Sequence, residues 1–293
     1  MYAKLIEHSI YKGKELITLE TESPMMVDAD IEKHCAIGKN SSSNRAIPFT
    51  TMLEQEPYVP KDVRLNQRGM QGFEQVPDAT LADYHYDLNE IYDFTVDILS
   101  KYPEVHKQHN NRYLMPFTSQ KKVWTAPREE FEYFFNLRDH KDADPNMQEL
   151  AQLMKTVVNA ANNPKELELG EWHAPYTTEE EKYDCYEQGY LEIIELLKMS
   201  ASRCARTSYL THDKKPSTLL KDIELFDNTL VGGDILHASA LDHQGMAIGE
   251  ACNVDVTKKP RWPKGVTHLT RDWQWGSGKM KGWVCFRHWY LQS

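Results

Sequence analysis

Residues 16–22, Leu-Ile-Thr-Leu-Glu-Thr-Glu, alternate apolar and polar side chains and then run into Pro24. Period two is the mark of a strand with one face on a core and the other in water. A half-buried strand is therefore expected here, with a short helix carrying Asp30 and His34 after it. Residues 122–126 (Lys-Val-Trp-Thr-Ala) and 282–291 (Gly-Trp-Val-Cys-Phe-Arg-His-Trp-Tyr-Leu) are rich in β-branched and aromatic side chains and read as further strands.

Elsewhere the period changes. Leu81, Tyr84, Leu88, Ile91, Tyr92, Thr95, Ile98 and Leu99 share one helical face, Leu150, Leu153, Met154, Val157 and Val158 share another, and residues 190–199 are similar. Each stripe is expected to pack on a core. Helices mixed with antiparallel strands make an α+β fold. No fixed repeat and no Gly/Ser- or Pro-rich linker occurs, so residues 1–293 read as a single elaborated domain, with polar, turn-like interruptions at 139–146 and 211–217.

Charge and cysteine usage narrow the function classes. With 44 acidic and 34 basic side chains the formal net charge is −10, and no long Lys/Arg run supplies a basic patch, so long nucleic acid is excluded as a partner. A mononucleotide is not, because two or three converging arginines hold one phosphate whatever the global charge. The five cysteines, Cys35, Cys185, Cys204, Cys252 and Cys285, are odd in number and form no C-x-x-C pair; they read as reduced thiols of a cytoplasmic protein. The first twenty residues are too charged for a signal peptide and no run of eighteen apolar residues occurs, so neither secretion nor membrane spanning is expected.

The usual sequence signatures of dinucleotide folds, P-loops, zincins and hydrolase elbows are absent. His237 and His243, with Asp242 between, form the tightest histidine pair, and no metal site is expected. Three clusters are less ordinary. Residues 34–48 gather hydroxyls, an amide, a Lys and an Arg, which suits either an anion-binding loop or a surface turn that satisfies its own backbone. Phe134-Phe135-Asn136-Leu137-Arg138 ends an aromatic run in a charge. Arg203 and Arg206, three apart, would share one helical face.

Together and in order these clusters resemble the flavin-dependent thymidylate synthases, in particular the longer variant carried by bacteriophages. The family signature R-H-R-x-x-S-x-N-x-x-S-x-R is met at residues 33–45 by His34, Asn40, Ser43 and Arg45, and Ala46-Ile47-Pro48 follows as in the phage type. Further matches are Asn66-Gln67-Arg68-Gly69-Met70-Gln71, Lys107-Gln108 with Asn111-Arg112, Phe134-Phe135-Asn136-Leu137-Arg138, and Trp172-His173-Ala174-Pro175-Tyr176. Arg203-Cys204-Ala205-Arg206-Thr207-Ser208-Tyr209, His237-Ala238-Ser239-Ala240-Leu241-Asp242-His243, and Ser277-Gly278-Lys279 with Gly282-Trp283 complete the series. The H-x-S-x-x-E-H-like element at 237–243 follows the signature instead of preceding it, an order that looks permuted.

The resemblance implies a homotetramer binding FAD at subunit interfaces. NADPH reduces the flavin, methylenetetrahydrofolate delivers a one-carbon unit, and the product is a pyrimidine deoxynucleotide monophosphate methylated at C5, dUMP becoming dTMP. By motif position His34, Asn136, Arg138, His237, Ser239 and Asp242 would serve the flavin, and Asp30, Ser43 and Arg45 the nucleotide. Ser43, Arg45 and Gln148 would attend the chemistry. Arg45 fits a phosphate, which prefers a guanidinium fork with hydroxyl and backbone donors beside it.

Three positions depart from the pattern: Cys35 and Gly38 replace an Arg and a Ser, and Gln148 stands where the family has an Arg against the pyrimidine. Cys35 reads as a small buried thiol rather than a nucleophile. A glutamine amide offers an acceptor and two donors, which match the N4 amine and N3 of cytosine, whereas an arginine suits an anionic uracil. Methylation or hydroxymethylation of dCMP or dUMP for DNA base modification is therefore an alternative, and a non-catalytic flavin- or nucleotide-binding relative is another.

Overall fold

In the computed structural model, the described residues are 1–69, 71–208, 210, 215–251 and 262–292. Met70, Tyr209, Cys252 and residues 211–214 of the second polar interruption, all singled out above, lie outside them. Strands β1 (Tyr2–Tyr11) and β2 (Lys14–Pro24) form a hairpin closed by Lys12 and Gly13, both at positive φ, the two-residue turn whose twist suits a hairpin. Helix α1 (Asp28–Glu32) leads to the short strand β3 (Gly38–Ser41). Helices α2 (Phe49–Met52), α3 (Asp78–Leu99) and α4 (Lys107–Tyr113) follow before β4 (Ser119–Pro127) returns between β2 and β3.

Helix α5 (Arg128–Arg138) starts directly after Pro127, with Glu129 and Glu130 in its first turn and Arg138 in its last, complementing the helix dipole. Helix α6 (Pro145–Ala160) is capped by Asp144, whose carboxylate accepts from the N–H groups of Asn146 and Met147. Strand β5 (Lys165–Glu166) completes a sheet of order β3-β4-β2-β1-β5, antiparallel except where β5 lies parallel to β1.

The remaining elements are β6 (Trp172–His173), α7 (Glu179–Tyr183), α8 (Ile193–Arg206), α9 (Leu219–Leu225), β7 (Gly245–Ala247), β8 (His268–Leu269), β9 (Trp275–Ser277), β10 (Met280–Lys281), β11 (Trp283–Cys285) and α10 (Phe286–Leu291). β11-β7-β6 and β10-β9-β8 are two small antiparallel sheets. The mixed, dominantly antiparallel architecture agrees with the α+β expectation. No helix among the described residues is long and apolar enough to cross a membrane.

Both faces of the large sheet are covered. On one, Ile17, Leu19, Trp124 and Ala126 pack with Phe131, Phe134 and Phe135 of α5 and with Met147, Leu150, Ala151 and Met154 of α6. The other face carries the polar half of the 16–22 alternation and is also buried, which corrects the half-buried strand expected from sequence. Residues 16–21 are all buried, because α7, α8 and the β11-β7-β6 sheet cover the face that would otherwise meet water. Polar groups there need partners. Thr18 Oγ1 lies 2.7 Å from both Thr125 Oγ1 and His173 Nε2, and Glu20 accepts from the hydroxyls of Tyr2 (2.7 Å) and Tyr176 (2.5 Å).

A register shift between Leu5 and Glu7 is part of this design. The extra residue, Ile6, lets Glu7 and Ser9 point to the polar face, where Glu7 accepts from Lys182 (2.8 Å) and Ser9 meets His173 (2.8 Å). Without the bulge, strict alternation would turn both side chains into the apolar layer.

Two expectations fail in instructive ways. The strand read at 282–291 ends at Cys285, and residues 286–291 are helical: Phe286, Trp289 and Tyr290, spaced i, i+3, i+4, form one aromatic face against Trp172 and Phe226. Helix α3 forms as its periodicity predicts, yet it buries none of its residues; Tyr86 (64%) and Phe94 (66%) are largely exposed.

Arg203 and Arg206 do share a helical face, and both are used internally. Arg203 Nε (2.9 Å) and Arg206 reach the two oxygens of Asp222, which is fully buried, and Arg203 also donates to Glu181 (2.7 Å) and to the Tyr176 carbonyl (2.7 Å). Neither arginine is left for a ligand. Replacing Asp222 by Ala strands Arg206 and takes one of two carboxylates from Arg203, so equilibrium unfolding in urea should show a loss of about 3–5 kcal/mol; an unchanged midpoint would contradict the structural role.

Candidate functional site

Strand β3 is the edge of the large sheet, and lysines hold what precedes it. Lys122 on β4 donates to Asp28 (2.6 Å) and Glu32 (2.7 Å), fastening α1 to the sheet. Lys39 on β3 donates to the carbonyls of Ile31 (2.7 Å) and His34 (3.0 Å), and Lys279 to that of Ile37 (3.2 Å). The segment from α1 to β3 is thus pinned by three cations, and burial lowers the Lys39 pKa. His34 lies beyond the end of α1 rather than within it.

His34 packs edge-on against Phe134 at 4.7 Å between ring centres and accepts at Nε2 from Arg138 Nε at 2.8 Å. Burial, then the neighbouring Arg138 and Lys39 charges, push its pKa down to about 4. The ring is neutral at pH 7 with its proton on Nδ1. Arg138 has no carboxylate partner among the described residues, so its terminal nitrogens remain for another acceptor.

Beyond β3 the loop at 42–47 shows a one-sided use of its backbone. Gln120 donates to the Ser42 carbonyl (2.6 Å), Asn111 to those of Asn44 (2.7 Å) and Ile47 (3.0 Å), and Lys107 to that of Ala46 (2.7 Å). The Ser43 carbonyl accepts from the Ala46 N–H. The N–H groups of Ser43, Asn44 and Arg45 have no protein acceptor among the described residues, and the exposed Arg45 guanidinium makes no ion pair there. Carbonyls tied back and three successive N–H groups without a partner, beside an exposed guanidinium, are the donor set an anion needs. That arrangement favours the anion loop over the self-satisfied turn.

The 237–243 element arrives at the same edge. Its 3₁₀ turn, Ala238–Asp242, lies on β3: Ser239 Oγ donates to Asn40 Oδ1 at 2.7 Å, while Asn40 Nδ2 donates to the Cys204 carbonyl at the end of α8 at 3.0 Å. The contact explains Gly38. A Cβ there would sit 2.9 Å from the Asp242 carbonyl oxygen and 3.2 Å from that of Thr125, so any side chain would force the turn off the strand. Asp242 pairs with Arg287 at 3.2 Å and receives the Cys285 thiol, whose pKa burial raises to about 12.

The structure therefore joins His34 with Arg138, and Asn40, Ser239 and Asp242 with β3. It leaves others apart. Asp30 pairs with Lys33 (2.7 Å) on α1; Asn136 and His237 are exposed; Gln148, half-buried on the first turn of α6, has a side chain that hydrogen-bonds no other described residue. Cys35 is exposed, not buried as its size suggested, because it lies on the outward turn between α1 and β3. Cys185, Cys204 and Cys285 are free and buried. Among the described residues no group of three or more His, Cys, Asp or Glu is placed to hold a metal.

Sequence reading missed Thr125 and Arg287, and named Lys39 only as a member of the 34–48 cluster. Only the strand alternation, which aims Thr125 at the polar face, held a usable signal. His173, Lys107, Asn111 and Lys279 stood within recognised motifs but carried no assigned role.

No protein-family model matches the chain, and no curated protein matches it. Among solved structures, the UMP/dUMP methylase PolB from Streptomyces cacaoi bound with 5-Br UMP aligns at 13% identity over 54% of this chain and 88% of its own, with a TM-score of 0.45. The same methylase bound with 5-Br dUMP aligns at 16% identity over 50% and 67%, with a TM-score of 0.43.

Three histidines set an acid limit on the fold. His34 and His173 are held near 4 and His243 near 3, chiefly by burial. Between the ordinary imidazole value and these, the unfolded chain binds protons that the folded chain refuses, so stability is lost as pH falls from about 6.5 towards 4. For His173 the difference is worth about 3 kcal/mol. Thermal melts from neutral pH to about 4.5 should show a falling Tm and a shallower fall for His173→Gln; equal slopes would refute the assignment.

Proposed function

We propose that this protein is a flavin- and folate-dependent enzyme that methylates a pyrimidine deoxynucleotide monophosphate at C5, with dUMP as substrate and dTMP as product. The observation that carries the reading is the meeting, on β3, of the 34–45 and 237–243 segments, remote in sequence, beside a loop with three N–H groups that have no acceptor among the described residues. The motif resemblance pairs those same two segments in one site, and a permuted order leaves a site intact where the folded positions are unchanged.

The residues fit phosphate-bearing ligands. Arg45, the Ser43 hydroxyl and the N–H groups of residues 43–45 would hold the nucleotide phosphate, since a guanidinium beside backbone donors is a strong oxyanion site. Arg138, held in orientation by neutral His34, would meet a flavin phosphate or ring acceptor. Buried polar atoms without partners, His243 Nε2, Gln244 Oε1 and Arg287 Nε, belong to the 238–242 turn and its neighbours, where a bound flavin would complete them. FAD, reduced by NADPH, supplies hydride when bound, and methylenetetrahydrofolate supplies the carbon. Asp30, Asn136 and His237 would act from the periphery. Assembly as a homotetramer belongs to the same reading, and the exposed apolar residues of α3 support it.

The unengaged Gln148 amide favours a second substrate, dCMP, because its donors and acceptor match the cytosine edge while supplying no charge for an anionic uracil. Mass analysis of nucleotides after incubation with FAD, NADPH and methylenetetrahydrofolate decides between them. A methyl gain on dUMP is expected, and a gain on dCMP alone would transfer the reading to cytosine; no gain on either would overturn it. Arg45→Ala should raise the nucleotide KM about ten- to a hundredfold, the worth of a charge-assisted hydrogen bond.

A further inference from the structure

The polar face of the large sheet carries a continuous hydrogen-bond chain that no role described so far requires. Ser9 Oγ lies 2.8 Å from His173 Nδ1, and His173 Nε2 lies 2.7 Å from Thr18 Oγ1. Thr18 Oγ1 lies 2.7 Å from Thr125 Oγ1, which lies 2.8 Å from His243 Nδ1. Every member is at most 1% exposed. His243 Nε2, at the far end, is buried and has no partner among the described residues.

Proton counting couples the two rings. A hydroxyl has one proton and a neutral imidazole donates from one nitrogen only. If His173 donates from Nε2 to Thr18, then Thr18 donates to Thr125, Thr125 donates to His243 Nδ1, and the His243 proton must sit on Nε2. If His243 instead donates from Nδ1, every bond reverses, and His173 donates from Nδ1 to Ser9. Opposite tautomers either place two hydroxyl oxygens 2.7 Å apart with no proton between them or leave a hydroxyl proton unused in a dry layer, which costs about 1–3 kcal/mol. Burial keeps both rings neutral at pH 7, so this counting holds there.

We propose that His173, Thr18, Thr125 and His243 form one tautomer-coupled relay in which both rings carry their proton on the same-named nitrogen. In this relay His173, Thr18 and Thr125 are positioning residues: they decide whether His243 Nε2, at the end of the 238–242 turn, meets a ligand as donor or as acceptor. Every residue is neutral in both states, and because the whole chain is buried, exchange between them requires a local opening that admits water to the Ser9 and Nε2 ends. A neutral heteroaromatic edge, which offers both acceptors and N–H donors, is the ligand class suited to such an end. That it is the flavin ring rests on the function proposed above; the coupling of the rings does not.

Long-range ¹⁵N–¹H correlation spectra of the ¹⁵N-histidine-labelled protein read each ring's tautomer directly. His173 and His243, assigned by substitution, should show the same single tautomer. Thr18→Val touches His243 only through Thr125, yet it should move the His243 nitrogens towards the averaged values of a tautomer mixture, and Thr18→Ser should restore them. Opposite tautomers in the native protein, or His243 nitrogens indifferent to Thr18→Val, would overturn the relay. Titration with FAD separates the two claims. Binding about two- to tenfold weaker in Thr18→Val and recovered in Thr18→Ser supports the flavin as reader. Native protein that fails to bind FAD removes the flavin reading while the tautomer result stands by itself.

Discussion

A sheet buried on both faces with polar side chains on one of them must find a partner for every hydroxyl, carboxylate and imidazole on that face. In this chain the requirement is met across layers rather than within the sheet. Thr18 and Thr125 reach His173 and His243, Glu20 reaches Tyr176, and Glu7 reaches Lys182. Each bond joins an early strand to an element from the second half of the chain, so the polar layer fixes how the two halves sit on each other. An unpaired member would cost roughly 1–3 kcal/mol, a sizeable part of a typical folding free energy. The bulge at Ile6 is the local irregularity that makes the match possible.

The candidate site is built on the edge of that sheet, and its character comes from cations freed by how the neighbouring backbone is used. The molecule as a whole is acidic, with a formal charge of −10, yet Arg45 and Arg138 meet no carboxylate among the described residues. The lysines around them are spent on carbonyls, Lys39 on Ile31 and His34, Lys107 on Ala46, and Lys279 on Ile37. Locking the carbonyls restrains the intervening N–H groups, so a ligand for them would meet donors already ordered, which is the physical content of preorganisation. Gly38 serves the same end by letting the 238–242 turn rest against the strand. A glycine at this position is a steric accommodation of that turn.

Much of the framework was legible in the sequence, for identifiable reasons. The alternation at 16–22 and the β-branched run at 122–126 located β2 and β4, and the stripe from Leu150 to Val158 located α6, because those periods report a buried face directly. The burial of Thr18 and Glu20 was not legible, since alternation reports polarity and cannot say whether a second layer will cover the polar side. Residues 286–291 misled because Trp, Phe and Tyr favour strands by propensity, whereas the i, i+3, i+4 spacing of Phe286, Trp289 and Tyr290 decided the matter once Trp172 and Phe226 were there to receive them. Of the site, His34, Arg45, Arg138 and the 237–243 element were named from motifs, whereas the seating of the 238–242 turn on β3, the strand between His34 and Arg45, is a property of the fold. Thr125 and Arg287 became visible only when the layers were assembled.

The central claim is that residues 34–45 and 237–243 form one ligand site across the β3 edge. Hydrogen exchange, read peptide by peptide with and without FAD, tests it most directly. Slower exchange in both segments together on adding FAD is the predicted result. Protection of only one of them, or protection confined to other parts of the chain, would contradict it.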